Sequence, residues 1–499
     1  MSHKRYLGLI DLAGIQSFIF RQPDLKTIAR SSEYIESLTS PEGILRDTQS
    51  DVTCMFAAGG NAAYLAEHPD LLKKAFQRIS RNLLIYGQGI EAVAVICPYE
   101  AGALGNIYSS AWRDLDRHKL AAPRSTGLIA FPGLARSSKP QEVGKALTMD
   151  YGMRHPSQFS HIVCRSEMED SDLMAVVSVD GLGMGRRLIR WSDRVKDEPD
   201  DVFCEMLARW SQNIKDRWKT AWEGSVKRLA DEFGPEMRLD HEFHEGRPLY
   251  PIRDRDGIPF FPCRRLYQGG DDMSFLCDAR LALSITSDLV TRLEHPDESV
   301  CPEFRRMTVS VGILFADSHF PIARGLALSN KVRSAAKKRS LEAQSRSGDQ
   351  EASSALDWWI NRQGSLNRQG EADFNSTLRP LIFNGVPSAG ERTWRDFDEV
   401  ILPGLWRLFK SRRNKLKDLM AAAEEDDRGA AVARFLALRP IKMDGRRIER
   451  PFGFLDAPFS PETGFSPGRR TPLLDAAELF DLHYPFHISQ GTMPSSEEN

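Results

Sequence analysis

Long apolar runs are missing from this chain. Nothing in it approaches the roughly 18 residues that a membrane-spanning helix needs, so no membrane role is expected. Charge of one sign is missing as well: 67 Lys and Arg against 69 Asp and Glu leave a net charge of −2 over 499 residues. A chain that grips polyanions nonspecifically carries a basic excess. Composition therefore does not indicate RNA or DNA contact, which stays open. Cysteine is scarce and scattered, as Cys54, Cys97, Cys164, Cys204, Cys263, Cys277 and Cys301, and no two form a C-x-x-C pair. That argues against a disulfide framework and against a zinc ribbon. No signal-like segment opens the chain, because Met1-Ser2-His3-Lys4-Arg5 leads straight into a strand-like run; a cytoplasmic location is the expectation. With 41% hydrophobic residues, a chain this long can bury the cores of about two to four domains.

What the chain does have is concentrated in residues 266–278, LYQGGDDMSFLCD. Two glycines precede two adjacent aspartates, with β-prone apolar residues on both sides, and the pattern predicts a β-hairpin with carboxylates at its tip. Glycine supplies positive φ and allows close approach. Adjacent carboxylates repel one another unless a cation or a proton sits between them, and a divalent metal bound through oxygen answers that on an exposed tip. A second carboxylate source lies at residues 174–185, MAVVSVDGLGMG. Met174 to Val179 read as a buried strand ended by Asp180, and a glycine-rich turn then opens a helix near Arg186. A strand-end carboxylate followed by a helix N-terminus suits a metal-bound polyphosphate.

A strand ending in Asp-Gly, a glycine-rich turn and a Gly-Gly-Asp-Asp hairpin together resemble the palm domains of diguanylate cyclases, class III nucleotidyl cyclases and the CRISPR polymerase family. Three further stretches resemble the last of these. Residues 9–38 are similar to its amino-terminal strand and helix. Residues 56–65, FAAGGNAAYL, resemble a degenerate second hairpin with Asn61 and Ala62 in place of the acidic pair. Residues 308–338 are similar to the strand, loop and helix that follow the catalytic hairpin. The resemblance covers about residues 6–340, and it implies a type III CRISPR effector large-subunit-like protein without the His-Asp nuclease domain. No adjacent His-Asp occurs, so no DNA cleavage is expected.

The implied fold class is α+β: two ferredoxin-like palm domains, nucleotidyl cyclase-like, that form a pseudo-dimer, with a small helical C-terminal domain. The implied catalytic and metal-holding residues are Asp180, Asp271 and Asp272, with the Gly181 carbonyl as a further ligand to two divalent ions, Mg²⁺ or Mn²⁺. Gly269 and Gly270 leave room for a nucleotide, Lys337 is the implied phosphate-binding lysine, and Gly59, Gly60 and Asn61 line the same cleft. Two such metals organise in-line attack on phosphorus. The implied activity is synthesis of a cyclic oligonucleotide from ATP in antiphage defence. The alternatives are a noncatalytic nucleotide-binding scaffold or sensor and a GTP-using diguanylate cyclase. Partners implied are ATP, subunits of a CRISPR-type effector complex, or a second copy of the chain. The family often has Asp-Gly-Asp-Asn-Met-Gly where this chain has Asp180-Gly181-Leu182-Gly183-Met184-Gly185, so one aspartate is replaced by Leu182.

The resemblance implies a degenerate palm over 1–130 and a catalytic palm over 161–343; punctuation along the chain predicts a connection over 131–160, a mobile polar break over 344–354, a mainly helical region over 355–489 and a disordered tail over 490–499. Trp210, Trp218 and Trp222 along residues 204–233 are expected to be packing surface. Arg186, Arg187 and Arg190 are expected on the polar face of a helix, and His241 and His244 in a solvated loop.

Overall fold

The computed structural model describes residues 4–22, 25–40, 52–87, 89–121, 151–166, 172–241, 244, 247–298, 300–302, 305–347, 352–361, 378–385, 391–409, 413–423, 436–438, 441–443, 446–466 and 471–486. The expected tail, most of the expected connection and the centre of the polar break lie outside these residues.

The first unit runs β1 (Lys4–Ala13), α1 (Ile15–Phe20), α2 (Leu25–Thr39), β2 (Thr53–Ala58), β3 (Asn61–Ala66), α3 (Pro69–Tyr86), β4 (Glu91–Glu100) and α4 (Leu104–Ala121). Its antiparallel sheet has the order β2-β3-β1-β4. A short strand β5 (Cys164–Ser166) follows. The second unit then repeats the pattern with β6 (Leu173–Gly181), α5 (Met184–Val195) and α6 (Asp200–Phe233). Strand β7 (Leu249–Pro251) pairs with β5, and the repeat continues through β8 (Cys263–Gly269), β9 (Asp272–Asp278), α7 (Ala282–Glu294), β10 (Val309–Asp317) and α8 (Ile322–Ser347). Its central strands have the order β10-β6-β9-β8, the same ferredoxin-like arrangement as the first sheet. Strand β6 reads as an unbroken apolar run because it is central and covered on both faces: Met174 to Val177 and Val179 are fully buried.

Beyond β10 the second sheet grows by β11 (Ala355–Ile360), which lies parallel to β10, and by β12 (Leu381–Ile382). The region expected to be mainly helical from residue 355 therefore starts as part of the second sheet. Its run of Ala, Leu, Trp and Ile suits a pleated, buried surface better than an amphipathic helix. Helical structure follows at 394–409, at Arg413–Ala423 and at Leu473–Leu479.

Among the described residues three apolar clusters hold the fold together. One joins the second sheet to α6, α7 and the C-terminal helices, through Trp218, Phe233, Phe275, Trp394 and Trp406 among others. The tryptophans of α6 pack as expected: Trp218 is fully buried, and Trp222 lies 5.1 Å from the Phe275 ring. A second cluster binds the two units to each other, with Ile15, Ile19, Ile28 and Ile35 of the first against Met174, Val176, Leu266, Leu276, Leu314 and Leu326 of the second. The third packs α4 on α5 and the start of α6 through Tyr108, Leu115, Trp191 and Phe203.

Candidate nucleotidyl-transfer site

Strand pairing brings the three predicted aspartates to one edge. Asp180, near the end of β6, sits directly across from Asp272, the first residue of β9. The β8–β9 turn is two residues long, Gly270 and Asp271, and Gly270 takes φ 61°. A positive first position followed by a negative second is the pattern of a hairpin turn that needs glycine only once, so an aspartate fits the second place. The Gly181 amide donates to the Asp271 carbonyl at 2.8 Å and ties the tip to the end of β6.

Helix α8 lies over these carboxylates because it can approach β10 closely. A methyl group on Gly312 would stand 2.2 Å from the Ser329 carbonyl oxygen and 2.3 Å from the Arg333 nitrogen, so only glycine permits the contact. The hydroxyl of Ser329 donates to the Gly312 carbonyl at 2.9 Å and stands 2.8 Å from Ser178 Oγ, whose own hydroxyl can donate to it. One turn later Arg333 Nη1 stands 3.0 Å from Asp272 Oδ1 and 3.7 Å from Asp180 Oδ1, and Lys337 Nζ donates to Asp180 Oδ2 at 2.8 Å. The remaining oxygen of Asp272 accepts from Gln16 Nε2 at 2.5 Å, across the boundary between the units.

Burial raises the Asp271 carboxyl to about 7, and the neighbouring Asp180 charge adds to it. Burial likewise raises Asp272 to about 6; Arg333 works against the rise and Asp180 with it. Crowded acids in a sparsely solvated place create a demand for positive charge. Carboxylate oxygens are the donors a hard divalent ion prefers, so Asp180, Asp271, Asp272 and the Gly181 carbonyl suit one chemically. In this structure Arg333 and Lys337 answer that demand. Among the described residues no group of three or more His, Cys, Asp and Glu side chains is arranged to hold a metal ion.

The degenerate hairpin meets the intact one tip to tip. A methyl group on Gly59 would lie 2.9 Å from the Gly269 carbonyl carbon, and one on Gly269 would lie 3.0 Å from Gly59 Cα. Around this point the units are related symmetrically. Lys215 of α6 donates to the Ala57 carbonyl of β2 at 2.6 Å, and Ile35 of α2 shares an apolar cluster with Leu266 of β8. A polar cavity of about 450 Å³ lies alongside, lined by Glu36, Gly59, Gly60, Lys215, Tyr267 and Gly270, among others.

Register corrects one expectation. In the first unit Ala58 pairs with Asn61, so Gly59 and Gly60 form the turn, both at positive φ (59° and 88°). In the second unit Gly269 pairs with Asp272. The acidic positions are therefore taken by Gly60 and Asn61, not by Asn61 and Ala62. Asn61 faces Asp11 across β1 just as Asp272 faces Asp180. Asp11 precedes the left-handed Gly14 by three residues, and Asp180 precedes the left-handed Gly183 by three. Asp11 is buried and ion-paired with Lys119 of α4, as Asp180 is with Lys337 of α8. Asp11, Lys119, Gln16 and Arg333 all escaped the sequence reading. The repeated Asp-x-x-Gly before each first helix, and the i, i+4 spacing of Arg333 and Lys337, were the available signals.

Two other expectations change. His244 is not in a solvated position: it is buried, stacked 3.8 Å from the Tyr484 ring, with Nε2 2.8 Å from the His483 carbonyl. Arg187 is buried too and donates to the Arg306 carbonyl at 2.7 Å. Leu182, where the family often has aspartate, is 2% exposed.

Residues 173–344 match the family model described as Cas10/Cmr2, second palm domain. No curated protein matches the chain. Among solved structures, the fold is similar to Csm1 in a Csm1-Csm4 cassette in complex with cA4 (TM-score 0.59, 13% identity, 96% of this chain and 70% of that one). It is also similar to the cassette in complex with pppApApA (TM-score 0.57, 14% identity, 96% and 69%) and to Csm1 of T. onnurineus (TM-score 0.56, 14% identity, 96% and 69%). No helix among the described residues is long and apolar enough to cross a membrane. The matched second-palm segment covers about a third of the chain, and its two ferredoxin-like palms with a helical C-terminal part make the whole similar in fold to Csm1.

Proposed function

We propose that this protein joins nucleotides, converting ATP to a cyclic oligonucleotide at the cleft between its palms. The observation that carries the reading is the convergence of Asp180, Asp271 and Asp272 through the β6–β9 register and the Gly181–Asp271 hydrogen bond. Similar proteins support the choice of nucleotide: Csm1-Csm4 cassettes have been solved in complex with pppApA, pppApApA and cA4.

Asp180, Asp271, Asp272 and the Gly181 carbonyl are the groups that would hold divalent ions, Mg²⁺ or Mn²⁺. Such ions would supply activation of a ribose hydroxyl and charge neutralisation at the transferred phosphate. The chain's own contribution is positioning and electrostatics. Lys337 and Arg333 present cations beside the carboxylates and can turn to phosphate oxygens once those carboxylates are otherwise neutralised. Gly59, Gly60 and Gly270 keep side chains out of the cavity wall, which leaves room for a nucleotide. Asn61, in the position of Asp272, keeps a hydrogen-bonding group without charge. The first palm thus has the shape of a nucleotide platform that keeps the strand-end acid, Asp11, without the two hairpin acids of the second.

A second reading is supported by a specific feature. Asp180 and Asp272 already have ion-pair partners within the chain, and Leu182 supplies no carboxylate. That composition also suits a scaffold or sensor that binds nucleotide without joining it. Incubation of the purified protein with each nucleoside triphosphate and Mn²⁺, followed by mass spectrometry, separates the two. A cyclic oligoadenylate from ATP supports synthesis; thermal stabilisation by ATP with no new product supports the scaffold.

A further inference from the structure

We propose that Gln16, supplied by the first palm, is a positioning residue for Asp272 of the second, so that the acidic site is complete only when the palms are docked. The proposal rests on the nucleotidyl-transfer reading. Both oxygens of Asp272 have donors, and they come from different units: Arg333 Nη1 on Oδ1 at 3.0 Å and Gln16 Nε2 on Oδ2 at 2.5 Å. Gln16 is itself oriented. Its Oε1 accepts from Asn330 Nδ2 at 3.1 Å, and Asn330 lies one turn before Arg333 on α8. A carboxylate only accepts, so the amide group of Gln16 must face Asp272 and its oxygen must face Asn330. The chain Asn330 to Gln16 to Asp272 therefore has one direction.

The local sequence fixes where Gln16 points. Ile15 and Ile19 on either side of it are buried in the cluster that joins the palms. Gly14, at φ 82°, starts α1 where β1 ends. Apolar burial holds the helix on the second palm, and the polar residue between the anchors reaches the reacting edge. Removing a hydrogen bond to a charged group leaves the other contacts of the palm boundary in place. Its effect should fall on the orientation of Asp272 and on the hairpin tip beside it.

The test uses the full chain with Gln16→Met, which keeps volume and removes both polar atoms, and with Asn330→Leu, which removes only the support. Hydrogen exchange of the metal-free protein reads the geometry without reference to catalysis. The Gly181 amide, bonded to the Asp271 carbonyl, and the amides of residues 270–273 are the reporters. Gln16→Met should speed their exchange about tenfold, the value expected for a lost charged hydrogen bond. Amides of α2 and β3 should keep their wild-type rates. In turnover, kcat should fall by about tenfold with the KM for ATP within about twofold, because binding contacts are untouched. Asn330→Leu should shift both readouts the same way by less. Unchanged exchange at the tip, or exchange raised equally throughout α1, α2 and β8, overturns the proposal, since Gln16 would then only help hold the palms together. If the wild type releases no pyrophosphate, the nucleotidyl-transfer reading fails, and tip exchange still decides whether Gln16 orients Asp272.

Discussion

Gly59 and Gly269 pack backbone to backbone where the two hairpins meet, so close that a methyl group on either would stand within about 3 Å of the other's main chain. This contact sets how near the first palm comes to the acidic edge of the second. Gly59 is also at φ 59°, a region that an L side chain enters at a cost.

Gly59→Ala should therefore lower stability by roughly 2–3 kcal/mol, the sum of left-handed strain and displaced backbone. Urea denaturation checks this. Gly269→Ala should do worse, because its methyl group would also overlap the Tyr267 hydroxyl.

Leu182 invites restoration of the family's aspartate, and the structure speaks against it. The side chain is buried and its amide donates to the Thr308 carbonyl at 2.8 Å. Leu182→Asp should cost roughly 3 kcal/mol through loss of apolar burial and an unpaired buried charge, and should not raise turnover. A variant as stable as wild type with faster turnover would show that this position faces the metal side of the site.

Acid should weaken the fold through His244. Burial, the largest cause, lowers this imidazole from its ordinary 6.5 to about 3. The unfolded chain then binds a proton that the folded chain refuses between those values. The stability it contributes is complete above pH 6.5 and is lost as pH falls from 6.5 toward 3, by about 1.4 kcal/mol per pH unit. Asp475 and Asp357, raised by burial to about 7 and about 6, act in the opposite direction over part of that range. The difference between wild type and His244→Phe isolates the histidine: urea midpoints measured from pH 7.5 to 5 should converge as pH falls.

The sequence made the acidic hairpin legible because a two-residue turn with glycine beside alternating apolar residues has few other solutions. The strand ending near Asp180 was legible as a run of β-prone apolar residues, and its six consecutive buried positions, Met174 to Val179, lie in the centre of a sheet. The register of the degenerate hairpin was not. Aligning Gly59-Gly60 with Gly269-Gly270 by letter hides a difference in turn geometry, since the first turn uses both its glycines at positive φ and the second uses only Gly270. Gln16 and Arg333 were hidden because each reaches the acids from a distant part of the chain; Gln16 is 256 positions from Asp272. His244 was misread because nothing in its acidic surroundings in sequence announces the Tyr484 ring that covers it. The strand at Ala355–Ile360 was obscured by the polar break before it, although its Trp and Ile content favours a sheet.

The most direct test of the central claim is pyrophosphate release from ATP with Mn²⁺ by wild type and by Asp271→Asn, with both proteins checked for folding. The wild type should release pyrophosphate, and the variant should lose that release by at least roughly a hundredfold. The variant's stability should be equal or slightly higher, because a buried acid crowded by Asp180 has been neutralised. Equal release by the two proteins would contradict a role for these converging aspartates, and no release by either would leave the cleft a binding site without chemistry.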